Sequence, residues 1–487
     1  MHLILTKDGK VLALEEPDPT TQPPPKDTLV FTPTTGDIDV SVPQQVDSDY
    51  NAFCSGHAQL SDGRILIVGG GSGADPESRY VLIYDPDQPS QTWNDRALSQ
   101  QDWLDAEEGR WYATCTTLGN GKILIAGGRV SCDSPAPTDP TNRLLTFDIT
   151  KAVGQKYSEP EGGTTPYHDF TWYPYMFLRP NGHIFYCGGN DHDNGNCGQP
   201  LSTHSFNPNS KNWTSIASSP MYNMSAVMYK PDAFMKVGEN KGGEPTTSYC
   251  SGSPGKSAWK LDFATLTPAW SAMPCMNVAR KNGQLLLSPD GRVMVFGGAP
   301  SNTELYRKPE WIDPNDANST WTLLAAGDTH RAYHSAAILL PDARILQAGS
   351  NGQTTAQIFK PPYLFQANGS SADSVRPVIA TPSLSGTLIK YDDSFEITLA
   401  NSGDYDEITQ VVLMRLGAAT HGFDQEQRRV VLDFSVSDPS SGPLVVETPA
   451  HSHLAPPGYY MLFVLKQGDR AGIQFPSVAR MVRVGAS

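Results

Sequence analysis

A hairpin motif recurs along most of the chain and restricts the folds that the chain can adopt. Each copy has a short apolar strand, a turn of Asp or Asn followed by a small residue, and a second apolar strand that ends at glycine. The clearest copies are Ser61–Gly70, Asn120–Gly128, Asn181–Gly189, Pro289–Gly298 and Pro341–Gly349. One gap is twice as long as the others, and a weaker copy, Ala226–Gly238, lies within it. A further copy, Leu3–Ala13, opens the chain, so the motif occurs seven times.

A repeat of roughly 50 residues whose strands end in paired glycines is typical of kelch propellers. The sequence therefore predicts an all-β protein with a seven-bladed kelch-type β-propeller over residues 1–372. The repeat stops after Lys360, and short strands with turn signals follow. These predict a C-terminal immunoglobulin-like β-sandwich over residues 373–487. The first strand of the last blade is expected from one of the two chain ends, and the sequence leaves open which.

Composition excludes several classes of partner. The chain of 487 residues carries 51 acidic and 36 basic side chains and a formal charge of −15, which disfavours binding to nucleic acid. No run of 18 apolar residues occurs, so no membrane span is expected. The first residues lack the basic start and long apolar stretch of a signal peptide. Seven cysteines are an odd number, so at least one cysteine lies outside any internal disulfide.

The repeat also places reactive side chains in one register. Counting back nine residues from the residue after the turn Asp or Asn gives Cys54, Tyr112, Tyr173 and His334. If the hairpins are equivalent blades around one axis, these side chains share a ring. Beyond the repeat, His421 lies on a small-residue turn just before a strand. Two imidazoles with phenolate oxygens form a nitrogen and oxygen site that suits tetragonal Cu(II).

Several segments together resemble the radical copper oxidases, the family that includes galactose oxidase and glyoxal oxidase. In the family's chain order they are Phe53-Cys54-Ser-Gly, Arg110-Trp-Tyr112-Ala-Thr, Tyr333-His334-Ser, Thr420-His421 with Asp424, and Pro457-Gly-Tyr-Tyr-Met-Leu-Phe-Val. The resemblance implies a thioether between Cys54 and Tyr112 that stores a radical. It further implies one copper ion bound by Tyr112, His334, His421 and, as the axial ligand, Tyr333. By the same resemblance, Tyr333 is the general base that accepts the substrate's hydroxyl proton.

Three departures from galactose oxidase bear on the substrate. The tryptophan that covers the thioether there is missing after Gly128, and Trp172 either shields the radical here or packs between blades. The arginine used for the sugar is replaced by Pro174, and an aromatic-His pair by Asn282-Gly283. The candidate substrate pocket therefore comprises Phe53, Trp172, Tyr173 and Asn282. Such a pocket offers few fixed polar partners for a sugar.

The sequence thus predicts a copper-radical oxidase that takes small alcohols or aldehydes and reduces dioxygen to hydrogen peroxide, closer to glyoxal oxidase than to a galactose-specific enzyme. The alternative is a catalytically silent kelch propeller that binds a partner or carbohydrate. We expect a monomer, and by resemblance a secreted or cell-envelope protein, although this chain shows no signal peptide.

Overall fold

The computed structural model describes residues 1–15, 28–39, 51–71, 81–88, 110–128, 144–151, 156–158, 170–189, 202–219, 225–238, 250, 254–298, 303–381, 387–438, 440 and 442–486. Within them, seven small antiparallel sheets follow one another from His2 to Phe359. The seven predicted hairpins form the first two strands of these seven sheets, which confirms the seven-bladed propeller.

Blades one to three contain the following strands. Blade one has β1 (His2–Leu5), β2 (Val11–Leu14), β3 (Thr28–Thr32) and β4 (Asp37–Asp39), and blade two has β5 (Gly56–Gln59), β6 (Ile65–Val68) and β7 (Val81–Tyr84). Blade three has β8 (Ala113–Thr117), β9 (Ile123–Gly127), β10 (Leu145–Phe147) and β11 (Tyr157–Ser158).

Blades four to seven repeat the arrangement. Blade four has β12 (Pro174–Leu178), β13 (Ile184–Gly189), β14 (Ser202–Asn207) and β15 (Asn212–Ser218), and blade five has β16 (Ser225–Lys230), β17 (Ala233–Gly238), β18 (Ser257–Asp262) and β19 (Ser271–Ala272). Blade six has β20 (Gln284–Leu287), β21 (Val293–Phe296), β22 (Glu310–Ile312) and β23 (Thr322–Leu323), and blade seven has β24 (Ser335–Leu339), β25 (Ile345–Gly349) and β26 (Ala356–Phe359). Short 3-10 helices span Pro254–Lys256, Leu305–Arg307, Pro362–Leu364 and Ser402–Glu407.

The first strands of successive blades lie innermost and touch one another. β5 contacts β8, β8 contacts β12, and β16 contacts β20. β20 in turn contacts β24, and β24 contacts β1, so the last blade meets the first. The described strands of blade seven all come from one continuous stretch of chain, and so do β1 to β4 of blade one. In the described residues neither chain end adds a strand to blade seven, so neither of the two alternatives that the sequence left open holds there.

Twelve described strands follow the propeller blades. They are β27 (Ile379–Thr381), β28 (Leu388–Ile389), β29 (Ser394–Leu399), β30 (Ile408–Arg415), β31 (Ala418–Thr420), β32 (Phe423–Asp424), β33 (Arg429–Leu432), β34 (Phe434–Val436), β35 (Leu444–Glu447), β36 (Gly458–Gln467), β37 (Gln474–Pro476) and β38 (Arg480–Val484). All of them except β31 and β32 form two facing sheets. One sheet has the order β27-β29-β35-β34 and the other β28-β38-β36-β30-β33, with β37 paired to β36. This is the predicted C-terminal β-sandwich.

Strand β30 joins the sandwich to the propeller. Its side chains alternate between the two faces, as the period of a strand requires. Val411 and Leu413 pack in the core of the sandwich, whereas Val412 and Met414 pack in the core of the propeller. Each such buried aliphatic side chain contributes roughly 1.5–3 kcal/mol. The two units therefore share one continuous apolar contact.

The hairpin β31–β32 leaves the sandwich and enters the propeller. β31 pairs with β1 in blade one, and it also contacts β5 and β24. β32 contacts β16 and β20 on the other side. The hairpin thus lies between the inner strands and carries its turn into the centre of the propeller.

Candidate metal centre

The residues in the predicted register share one unusual backbone conformation. Cys54, Tyr112, Tyr173, Asn282 and His334 each stand just before an inner strand, with φ angles of 64°, 64°, 43°, 60° and 66°. The left-handed conformation costs a residue other than glycine roughly 1–2 kcal/mol. Hydrogen bonds between blades offset part of this cost. The Tyr112 N–H donates to the Cys54 carbonyl at 2.9 Å, and the Tyr173 N–H donates to the Tyr112 carbonyl at 2.8 Å.

The turn of the inserted hairpin adds His421 to this group. His421 and Gly422 form the two-residue turn between β31 and β32, and both have positive φ, 47° and 80°, as a type I′ turn requires. The Thr420 hydroxyl lies 2.7 Å from His421 Nδ1. This contact orients the ring so that Nε2 lies 3.7 Å from Cys54 Sγ.

Five predicted side chains converge at the centre of the propeller. The hydroxyls of Tyr112 and Tyr333 are 2.8 Å apart. The ligand atoms of Cys54, His334 and His421 lie within 4.8 Å of one another, which makes them the one group of three potential metal-binding His, Cys, Asp or Glu residues in the described part of the chain. The Cys54 side chain also forms a hydrogen bond with Tyr112. A thiol, two phenols and two imidazoles thus surround one point.

Burial determines the protonation state of Tyr112. The pKa of Tyr112 is raised far above its ordinary value, chiefly by burial and then by Cys54 and Tyr333. The Tyr112 phenol therefore keeps its proton unless a positive charge enters. A bound divalent cation is the charge that would ionise it. The donor set of two imidazoles and two phenol oxygens fits Cu(II), whereas a zinc site would normally contain more His, Cys or carboxylate ligands.

Trp172 covers Tyr112. The two rings are stacked, with centroids 4.9 Å apart and planes inclined by only 10°. Trp111 packs edge-on against both rings, at 4.9 Å from Trp172 and 4.6 Å from Tyr112. Trp172 thus lies over the phenol that the family resemblance implies to be the radical site, and it also packs against a neighbouring aromatic residue.

A cavity of about 490 Å³ opens beside His334. Its lining includes Phe53, His334, Glu15 and the loop after β25, with Asn351 and Gln353. Phe53 packs edge-on against His334 with centroids 4.9 Å apart. Of the other predicted pocket residues, Tyr173 is fully buried and donates its hydroxyl to the Ser55 carbonyl at 3.0 Å, and Asn282 is half-buried.

Sequence reasoning missed four residues that surround the centre. Thr420 orients His421, Glu15 brings a carboxylate to the cavity, and His2 and His57 form a buried pair beside Cys54. The register count could not find them because they lie outside the counted position. His57 carried a weak signal, since it follows Cys54 by three residues on the same blade.

Comparisons with known proteins agree with this geometry. The sequence model of the glyoxal oxidase N-terminus matches residues 36–363, more than half of the chain, and that of the galactose oxidase-like early set domain matches residues 376–484. The aldehyde oxidase GLOX of Vitis pseudoreticulata is 27% identical over 466 residues, which cover 89% of this chain and 82% of that protein. A galactose oxidase of Gibberella zeae is 25% identical over 468 residues, which cover 89% of this chain and 61% of that protein.

A solved structure shares the fold. It is described as a novel fungal alcohol oxidase of the AA5 family in complex with copper. It superposes with a TM-score of 0.74 at 22% identity and covers 99% of this chain and 96% of its own. In the described part of this chain, none of the helices has the length and hydrophobicity needed to cross a bilayer.

Proposed function

This chain belongs to the glyoxal oxidase family, and from that membership we propose that it is a copper-radical oxidase that converts small alcohols or aldehydes with reduction of dioxygen to hydrogen peroxide. The observation that carries the proposal is the convergence of Cys54, Tyr112, Tyr333, His334 and His421 at one buried point. A module that only binds a partner has no need to hold a thiol, two phenols and two imidazoles together.

We assign a role to each of the five residues. His334, His421, Tyr112 and Tyr333 would hold the copper ion, and Cys54 would be linked to Tyr112 by a thioether. A bound copper ion would supply one-electron redox chemistry at this centre. The Tyr112 radical would accept the hydrogen atom from the substrate carbon, which carries the second of the two electrons that the oxidation of an alcohol releases. Tyr333, whose hydroxyl is 2.8 Å from that of Tyr112, accepts the substrate's hydroxyl proton.

The surroundings support a stored radical. The stacked Trp172 ring and the buried position of Tyr112 exclude water from one face of the phenol. The thioether lowers the oxidation potential of the phenol, because sulfur donates electron density to the ring. Substrate would enter through the cavity lined by Phe53, Glu15 and the loop after β25, where it reaches His334.

The cavity favours small substrates. The polar side chains that line it are those of Glu15, His334, Ser350, Asn351, Gln353 and Thr354. No described arginine or lysine lines it. A hexose therefore gains little over glycolaldehyde or methylglyoxal, so we expect small aldehydes to outpace galactose in peroxide release by roughly tenfold, the ratio that 1.4 kcal/mol produces.

Two measurements test the proposal. Copper-loaded protein treated with a mild oxidant should absorb broadly into the near infrared, as a tyrosyl-radical copper site does. A panel of aldehydes, alcohols and sugars at equal concentration should then release peroxide in the expected order. A colourless protein that releases no peroxide would instead support the alternative of a silent propeller that binds a partner or carbohydrate.

We further propose that the protein works outside the cytoplasm as a monomer and that its two units divide at residues 372 and 373. The disulfide between Cys250 and Cys275 supports an oxidising compartment. The division is supported by the gap between Phe359, which ends β26, and Ile379, which begins β27.

A further inference from the structure

Two histidines that the proposed reaction does not use lie directly behind Cys54. His2 and His57 are both fully buried, and His2 Nδ1 is 3.0 Å from His57 Nε2. On its other side, His2 Nε2 lies 3.0 Å from the backbone nitrogen of Cys54. The His2 ring also packs edge-on against Phe53, with centroids 5.3 Å apart.

The hydrogen bonds fix the tautomers of both rings. The Cys54 N–H can only donate, so His2 Nε2 accepts and carries no hydrogen. An imidazole without a hydrogen on Nε2 is neutral and carries its one hydrogen on Nδ1. That N–H donates to His57 Nε2, which places the hydrogen of His57 on Nδ1. This last atom has no hydrogen-bond partner among the described residues, so the chain of bonds ends there.

The pair therefore holds the backbone of Cys54 and moves no proton to solvent. Cys54 adopts φ 64°, a conformation that is costly for a residue with a side chain. Its N–H is held by His2 and its carbonyl accepts from Tyr112 at 2.9 Å. Together the two bonds set the direction of the Cα–Cβ bond and hence the position of Sγ beside Tyr112.

We propose that His2, supported by His57, is a positioning residue for the formation of the Cys54–Tyr112 thioether. The inference rests on the proposed function, because the thioether is part of it. In the reaction, the S–H bond of Cys54 and a ring C–H bond beside the Tyr112 hydroxyl break, and an S–C bond forms. Dioxygen, the oxidant of the proposed activity, takes up the two electrons and two protons and becomes hydrogen peroxide.

Two variants of similar polarity separate positioning from packing. In His2→Gln, the side-chain oxygen reaches the position of Nε2 and can still accept from the Cys54 N–H. In His2→Asn, the shorter side chain places its amide near Nδ1, where it can donate to His57 but cannot reach Cys54. Both variants lose the imidazole ring, so a merely structural role predicts similar losses for both.

The experiment follows cross-linking of copper-free protein after copper and air are added. Intact mass should fall by two hydrogens, and peptide mapping should join the two segments. We expect His2→Asn to cross-link at least tenfold more slowly than wild type and His2→Gln to stay within about threefold, because displacement of a reacting group by about 1 Å costs up to roughly a hundredfold in rate. Copper affinity, measured by chelator competition, should stay within about threefold in both variants.

Each outcome of these experiments supports or overturns a stated role. Equal cross-linking rates for the two variants and wild type, or equal slowing of both variants, would overturn the positioning role of His2. The companion variant His57→Gln, which keeps an acceptor for His2, should cross-link faster than His57→Leu, and the opposite order would overturn the supporting role of His57. A wild-type protein that binds copper but never loses the two hydrogens would overturn the proposed function itself.

Discussion

Four residues of the metal centre share a backbone conformation rather than a side-chain chemistry. Cys54, Tyr112, His334 and His421 differ in side chain, yet all have φ between 47° and 66°. Strained positions of this kind persist only where the surrounding structure holds them. Here the hydrogen bonds between blades, the His2 contact and the hairpin turn provide that support. Five of the seven blades therefore offer an equivalent position in the described residues, and the side chain at that position determines the chemistry.

The stacked ring of Trp172 leads to a prediction about the lifetime of the radical. Trp172→Leu removes the aromatic face from Tyr112 while it keeps an apolar side chain in place. Stacked aromatic pairs are worth roughly 0.5–1.5 kcal/mol, so we expect the near-infrared absorption of the oxidised enzyme to decay about two- to tenfold faster. The matched control is Trp321→Leu, since Trp321 is 5% exposed, close to the 4% of Trp172, and lies in blade six. If the near-infrared absorption decayed equally fast in both variants, the role of Trp172 would be packing alone.

The buried His57 leads to a prediction about acid stability. Burial lowers its pKa to about 3, whereas in the unfolded chain it titrates near its ordinary value of 6.5. Between these values the unfolded chain binds a proton that the folded protein does not, so stability falls as the pH falls below about 6.5, by roughly 1.4 kcal/mol per pH unit.

The test compares copper-free wild type with His57→Asn in urea unfolding at pH 7.5, 6 and 5. The variant should be less stable at pH 7.5, but its free energy of unfolding should fall less steeply with acid. Parallel pH profiles for the two proteins would show that His57 does not contribute to the loss of stability in acid.

Among the elements, the hairpin β31–β32 is the one that completes the centre. Asp424 Oδ1 accepts from the backbone N–H groups of Ala418, Glu426 and Gln427 at 2.9–3.0 Å. The Ser225 hydroxyl donates to the Gly422 carbonyl at 2.5 Å and ties the turn to blade five. The hairpin is thus held at its base and at its tip, and His421 lies between these two fixed points.

We therefore expect Asp424→Ala to weaken copper binding at least tenfold, the scale on which loss of a ligand's supporting partners is felt. Three buried N–H groups would lose their acceptor, each at a cost of about 1–3 kcal/mol, and the turn that carries His421 would shift. Asp424→Asn keeps an oxygen acceptor and should bind copper within about threefold of wild type. Chelator competition measures both affinities. If the alanine variant bound copper with wild-type affinity, the hydrogen bonds at the base of the hairpin would not be needed to hold His421 at the metal centre.

The elements also show most clearly which parts of the structure could be predicted from the sequence. The hairpins could be predicted because alternating apolar strands, Asp-Gly turns and paired glycines are local signals, and one count from the turn then located Cys54, Tyr112 and His334. The His2–His57 pair could not be predicted, because it depends on the approach of β1 to β5 across two blades. The Cys250–Cys275 disulfide was missed for a similar reason, since its partners lie outside the repeated motif.

The substrate cavity is formed only by the folded molecule as a whole, and it is the feature that the sequence predicted least well. Phe53 was expected near the substrate and lines the cavity, whereas Glu15, Asn351 and Gln353 come from segments that no motif singled out. Glu15 follows β2 of blade one and the other two follow β25 of blade seven, so only closure of the propeller brings them together. Residues that meet through ring closure leave no spacing signal in the chain.

The charge of the whole molecule also affects which substrates can approach the cavity. The chain carries a formal charge of −15, and Glu15 places a carboxylate in the cavity itself. Burial raises the pKa of Glu15 and favours its neutral form, so the relevant assays are run at pH 8, well above the ordinary range of a carboxyl group. Both charges repel an anionic aldehyde such as glyoxylate and leave a neutral one such as methylglyoxal unaffected. We therefore expect wild type to prefer the neutral substrate by kcat/KM.

Ionic strength and the variant Glu15→Gln separate the two sources of charge. Salt screens the distant charges, so raising ionic strength from about 0.01 M to 0.3 M should increase kcat/KM for glyoxylate and leave that for methylglyoxal unchanged. Two unit charges a few ångströms apart interact by roughly 1 kcal/mol or more near a protein surface, so Glu15→Gln should raise kcat/KM for glyoxylate by about fivefold at either ionic strength. If glyoxylate turnover responds to neither salt nor the substitution, the anion reaches the centre by a path that avoids the cavity beside His334.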